Sequence, residues 1–338
     1  MNTAELLTSL CAVDAVSGSE EAIRQAILAQ VQDSCSCSVD ARGNLICVKE
    51  GKRQPKRNIV LFAHMDEAGF AVTGVDSEGF LRFSTVGPVD SRMVIGKRLR
   101  LPSGQVAIVG TKPIHVQSKQ EQDTPLTVRE MYLDLGAVDK EDALSCVALG
   151  DCAAYYCETR LFGDGRIKAK ALDNRAGCAC LIQLLQQEAQ VGFTAVFTVC
   201  KECGKSGAEN AAFALKPDIA IVVDCAEAAD VSGVGELDQG LCQGKGPALS
   251  FQDGRCILDK ALFRQGLSLA EAHNIPCQIK TSTTGDSEAA AVHTAGAGAR
   301  TMLVSLPVRY GHSSAEVLKL SDVEDCTKLL GCLVQELA

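Results

Sequence analysis

The chain has 338 residues, room for about two domains at roughly 150 residues each. Hydrophobic residues make up 46% and charged residues 22%, which excludes disorder, collagen and coiled coil as the main architecture. A formal charge of -9 repels phosphate backbones, so no nucleic-acid partner is expected. No apolar run reaches the ~18–20 residues of a membrane span, so no membrane partner is expected either.

The opening MNTAELLTSLCAVDAV lacks a basic segment and carries Glu5, so it reads as a helix and not a signal peptide; a cytoplasmic location is expected. The 17 cysteines are odd in number and scattered. Many, such as Cys178 and Cys180, sit in apolar runs. They read mostly as buried thiols acting as small hydrophobes, not as a disulfide framework. With no Trp and 4% aromatics, the core must be aliphatic.

Residues 3–34 read as two helices, the second led by Ser17 and Glu20 at capping-box spacing. NLICVK and NIVLFAH read as strands. From 71 to 165 the character changes to short strand pairs with Gly-containing turns, a polar loop at KPIHVQSKQEQDTP and one helical stretch, KEDALSCV. This segment reads as a small β-domain inserted into an α/β unit formed by 1–70 and 166–338. After 167, strands and helices alternate. AGCACLIQLLQQEA is a helix and TAVFTVCKE a strand. SGAENAAFAL is a helix with Ser206 and Glu209 at capping-box spacing, followed by strand DIAIVVD. Helix LDKALFRQGLSLAEAHN, strand CQIKTST, helix DSEAAAVHTAG, strand TMLVSLP and a closing helix SDVEDCTKLLGCLVQEL complete the pattern. Continuous apolar strands alternating with helices predict an α/β fold, a mostly parallel sheet covered on both faces.

The strand ends carry the chemistry. NIVLFA runs into His64, with Asp66 two residues on. TAVFTVCK runs into Glu202, DIAIVV into Asp224 and TMLVSLPVRYG into His312, while Asp173 stands just before a helix. Ligands of open α/β sheets bind at the carboxyl ends of strands. Any one polar strand end is unremarkable, but two imidazoles and three carboxylates on one edge suit two zinc- or cobalt-like dications with one bridging carboxylate. Residues i and i+2 share a strand face, so Asp66 can brace the His64 imidazole.

The segments AHMDEAGF, KALDNRAG, ECGKSGA, IVVD and SLPVRYGHSSAE resemble the dinuclear-metal aminopeptidases that include glutamyl, leucyl and deblocking enzymes and assemble as tetrahedral particles. Older labels call some members endoglucanases. The resemblance covers nearly the whole chain. It implies metal ligands at His64, Asp173 (bridging), Glu202, Asp224 and His312, an orienting role for Asp66, and a PDZ-like β-barrel insertion that helps form a homo-oligomer, from dimer up to dodecamer. The implied partner is a short peptide with a free N-terminus. The implied cofactor is two divalent ions, with one or none possible.

One position departs from that pattern. The resemblance implies paired Glu residues, the first a general base and the second a ligand; here the pair is Lys201-Glu202. An ammonium has three donors and no acceptor. To act as base, Lys201 would need a fall from about 10.4 to near 7, worth about 4.6 kcal/mol. A charged Lys201 instead opposes a metal by about 3 kcal/mol at ~5 Å and an effective dielectric of ~20, or pairs with Glu202 or Asp66. A catalytically inactive homologue, binding metal or peptide, is therefore the alternative. A glycoside hydrolase is a weaker one, because the His ligands and absent Trp speak against it.

Lesser candidates are Cys200 and Cys203, a CxxC in which Cys203 reads as a packing residue, and Asp286, read as a helix cap with amine binding as the other option. His293 reads as structural and His115 has no assigned role. Arg309 and Tyr310 are expected to hold the His312 loop, and Ser313-Ser314-x-Glu316 either orients that loop or caps.

Overall fold

The computed structural model describes residues 1–204 and 207–338. The chain opens with helices α1 (Thr3–Cys11) and α2 (Glu21–Val31), then strands β1 (Ser36–Val39), β2 (Leu45–Lys49) and β3 (Ile59–His64). Asn2 and Glu5 form the capping box of α1. The box expected from Ser17 and Glu20 is absent. Glu20 occupies the N-cap of α2 with no side-chain cap bond, and Ser17 Oγ donates instead to Asp66 Oδ2 at 2.6 Å. A buried carboxylate offers that hydroxyl a stronger, charge-assisted partner than a helix end does.

Next comes a closed antiparallel barrel. Its strands are β4 (Gly69–Val75), β5 (Leu81–Val86), β6 (Arg98–Arg100), β7 (Val106–Thr111), β8 (Met131–Asp134) and β9 (Cys152–Tyr155), ordered β4-β5-β8-β7-β6-β9. Its core contains an aromatic cluster: Phe70 meets Phe83 and Tyr155 edge-on at 5.5 and 5.2 Å. The expected polar loop between β7 and β8 contains a 3-10 turn, Ile114–Val116, and a short helix α3 (Lys119–Asp123) with its own Ser118–Glu121 capping box. Helix α4 (Lys140–Cys146) follows.

The remainder runs β10 (Arg160–Phe162), β11 (Arg166–Ala169), α5 (Leu172–Gln186), β12 (Phe193–Thr198), α6 (Ala208–Leu215), β13 (Ile219–Glu227) and β14 (Ala248–Ser250). A small hairpin of β15 (Gln252–Asp253) and β16 (Cys256–Ile257) leads to α7 (Lys260–Ala272), β17 (Gln278–Lys280), α8 (Ala289–Thr294), β18 (Arg300–Arg309), β19 (Glu316–Lys319) and α9 (Leu320–Leu337). Ser206, expected to cap α6, lies outside the described residues.

The large sheet is ordered β1-β2-β12-β3-β13-β18-β19-β11-β10. Its four central strands β12, β3, β13 and β18 are mutually parallel, and its flanks are antiparallel. Period-2 alternation splits its side chains between two cores: Leu61 and Ala63 face α1, α2, α5 and α9, while Val60 and Phe62 face α6 and α8. Register pairs Thr198 with His64 across β12 and β3, so these strands end level. The candidate metal-ligating side chains near those ends therefore fall on one edge.

Where the barrel joins the sheet, Glu67 is buried and anchors an ionic knot. It accepts from Lys170 Nζ at 2.6 and 2.8 Å and from the Ala15 amide at 2.8 Å, with the fully buried Arg175 3.6 Å away. Breaking a buried pair from one side costs ~3–5 kcal/mol because it strands the other charge. Glu67→Gln is expected to lower unfolding stability by less than that, because Lys170 Nζ keeps Asp14 Oδ1 at 3.1 Å, read as an earlier midpoint in urea.

Candidate metal centre

Each candidate ligand is held by a separate element. His64 ends β3, Asp173 lies in the first turn of α5, Glu202 follows β12, Asp224 lies within β13 and His312 follows β18. Among the described residues, four of the six non-glycine residues with positive φ border this cluster: Ala171 (56°), Cys200 (58°), Tyr310 (62°) and His312 (56°). Left-handed backbone at such residues costs ~1–3 kcal/mol each and persists where surroundings enforce it.

The structure brings all five side chains together in two overlapping groups. His64, Asp173 and Asp224 form one; Asp173, Glu202 and His312 form the other; within each, the ligand atoms lie within 4.8 Å of one another. His64 Nε2 is 3.2 Å from Asp173 Oδ1 and 3.3 Å from Asp224 Oδ1. His312 Nε2 is 3.5 Å from Asp173 Oδ2 and 3.3 Å from Glu202 Oε2. Zinc bonds of ~2.0–2.1 Å in a tetrahedron set its ligands about 3.3 Å apart, so these spacings suit an ion in each group. Asp173 presents a different oxygen to each group, the arrangement a bridge needs. Moreover, His64 Nε2, Asp173 Oδ1, Glu202 Oε2 and His312 Nε2 are buried without a hydrogen-bond partner. Buried polar atoms are rarely left so unless an ion or water serves them.

Surrounding groups fix these ligands. Glu316 Oε2 accepts from the Asp173 amide at 2.9 Å and Oε1 from the His312 amide at 2.8 Å, tying the shared ligand to the last one. This is the loop-orienting role of the two considered for the Ser-Ser-x-Glu motif. Asp66 lies with Oδ1 3.5 Å and its carbonyl 3.3 Å from His64 Nδ1. It also accepts from Ser17 and from the amides of Lys201 and Glu202 at 3.1 and 3.0 Å. Burial would raise the Asp66 carboxyl, but His64 and these donors outweigh it and hold it at about 2.

Lys201 Nζ donates to Glu202 Oε1 at 3.1 Å, leaving Oε2 toward His312. Burial pulls the ammonium's pKa down, yet the charges of Asp224, Asp173 and Glu202 prevail and hold it well above the ordinary lysine value. The depressed lysine that a base would require is thus opposed by its own surroundings.

Some smaller expectations change. Asp286 does not cap α8; it is exposed and pairs with Arg255 at 2.9 Å. Cys203 is exposed instead of packed, six of the 17 free thiols are fully buried and ten are half-buried. Arg309 is held by Asp230, but the grip on the loop before His312 comes from Glu227, which accepts from the amides of Tyr310 and Gly311 at 2.9 and 3.1 Å. His293 is structural, with Nδ1 3.1 Å from the Ala299 carbonyl, and His115 lies in the barrel's polar connection. Sequence reasoning missed Glu67, Glu227 and the Ser17–Asp66 bond. Only the Asp-Glu doublet after His64 hinted at the first.

A profile of the M42 glutamyl aminopeptidase family matches residues 43–329. The chain belongs to this family. A protein of Acetivibrio thermocellus, provisionally named as an aminopeptidase, is 37% identical over 96% of both chains. An aminopeptidase structure from Desulfurococcus kamchatkensis superposes with a TM-score of 0.93 at 29% identity, covering 99% of this chain and 94% of that one. The TET1 peptidase of Pyrococcus horikoshii, described as assembling into a tetrahedron or an octahedral shell, gives 0.87 at 30% identity, over 98% and 99%. M42 members are metal-dependent peptide hydrolases, and this chain carries the candidate metal-binding groups.

Loss of a group that orients metal ligands typically costs 10–100-fold in metal affinity. Glu316→Ala is expected to weaken zinc binding by about that factor in a chelator competition, with the fold retained by circular dichroism.

Proposed function

We propose that this M42 chain is a metal-dependent aminopeptidase that removes N-terminal residues from short peptides. His64, Asp173 and Asp224 would hold one divalent ion, and Asp173, Glu202 and His312 a second, zinc or cobalt by donor type. The observation that carries this reading is the set of buried, partnerless ligand atoms at tetrahedral spacing. When bound, such ions activate water and polarise the scissile carbonyl. Beside them lies a cavity of about 230 Å³ lined by Pro88, Leu241, Ser282, Thr284 and Ser287, where the first side chain of a peptide would sit.

Asp66 keeps the His64 ring oriented, and Glu316 keeps the bridging carboxylate in step with His312. Lys201 stands where the family resemblance places the base. A protonated Nζ has three donors and no acceptor for a water proton, so while it keeps its charge turnover should be slow. The Lys201–Glu202 ion pair also favours a second reading, a homologue that binds metal or peptide without turnover.

The barrel supports a homo-oligomer. Ile108, Ile114, Val116 and Leu149 are exposed apolar residues on the inserted barrel segment, which we assign as the assembly domain of the surrounding α/β unit. No helix is long and apolar enough to cross a membrane among the described residues. The free thiols favour a reducing, cytoplasmic setting.

The experiment is zinc- or cobalt-dependent hydrolysis of aminoacyl anilides by wild type and Lys201→Glu. Chelation should abolish wild-type hydrolysis. The variant should turn over ~10²–10⁴-fold faster, the usual worth of a general base. No gain would support the second reading.

A further inference from the structure

Away from the metal centre, on the edge of the large sheet, three thiols converge. Cys37 on β1 and Cys47 on β2 are directly opposed in the antiparallel register, with their sulfurs 3.7 Å apart. Cys35, in the link between α2 and β1, brings its sulfur to 3.7 Å from that of Cys37. All three sulfurs lie within 4.8 Å of one another. A cation bound by thiolates at ~2.3 Å in tetrahedral geometry holds its sulfurs about 3.8 Å apart, so two edges of the triangle already have the required length. Cys47 is fully buried, whereas Cys35 and Cys37 are half-buried, which leaves a path for an ion and a solvent-filled fourth position.

We propose that Cys35, Cys37 and Cys47 form a site for one thiophilic cation, zinc or copper(I), separate from the peptidase centre. Sulfur ligands select these ions over the hard ones. On binding, each thiol releases its proton to solvent and three sulfur–metal bonds form. The Lys49 ammonium, two residues along β2 from Cys47 and donating to the Ser34 carbonyl at 2.9 Å, stands next to the triad and offsets part of its negative charge. Cys35 Sγ also reaches the Val31 carbonyl at 3.3 Å, at the end of α2. A bound ion would thus fasten the helix end and the sheet-edge hairpin at a single point.

The test uses the reduced, metal-free full chain titrated with cobalt(II). The peptidase cluster has only imidazole and carboxylate ligands, so a sulfur-to-cobalt charge-transfer band in the near ultraviolet reports the thiol site alone. This band should saturate at one ion per chain in wild type, vanish in Cys37→Ser and Cys47→Ala, and persist in Cys225→Ser and Cys200→Ser. A parallel competition for copper(I) against a chromophoric chelator shows whether the monovalent ion is also held, and the same two variants should lose it. Circular dichroism checks that each variant is folded, and Cys35→Ser, at a half-buried position, gives a further loss-of-band arm should Cys47→Ala fail to fold. Absence of both signals in wild type, or a band that survives Cys37→Ser, would overturn the site whatever the peptidase assays give.

Discussion

Three buried carboxylates meet at the sheet edge, Asp173 from the start of α5, Glu202 from the turn after β12 and Asp224 from β13, and their mutual repulsion organises the groups around them. At an effective dielectric of ~20, like charges ~4 Å apart repel by about 4 kcal/mol. Cations must offset that. Two imidazoles turn toward the carboxylates, the Lys201 ammonium reaches Glu202, and four ligand atoms still lack a partner. Divalent ions would complete the balance more fully than one ammonium does, because each takes several ligands at once.

Asp66 and Glu67 show how adjacent residues divide two tasks. Asp66 faces the centre and collects His64, Ser17 and the two amides after β12. Glu67 faces away and neutralises Lys170 beside Arg175 at the junction of the barrel and sheet. Both lie within three residues of His64 at the end of β3.

Much of this was legible in the residues. Strand-end placement alone nominated His64, Glu202, Asp224 and His312, because buried parallel strands announce themselves as continuous apolar runs and their ends are easily counted. Glu316 was legible as one of two options. The flanking antiparallel strands were harder: β1 has a single half-buried residue among exposed ones, which gives no alternation to detect. Ser17 was misread since capping-box spacing carries no information about a carboxylate 49 residues away. Asp286 failed for the converse reason, with Arg255 brought near by the fold and not by the sequence. Glu227 acts on backbone amides, an interaction that leaves no trace in residue type.

The central claim is that one carboxylate serves two ions while a lysine stands beside them. Anomalous diffraction from crystals grown with zinc addresses this directly. The account predicts two peaks flanking Asp173, one against His64 and Asp224 and the other against Glu202 and His312, with the Lys201 ammonium on Glu202 Oε1. Density without an anomalous peak at Asp173, with Lys201 filling the space between the two imidazoles, would contradict it.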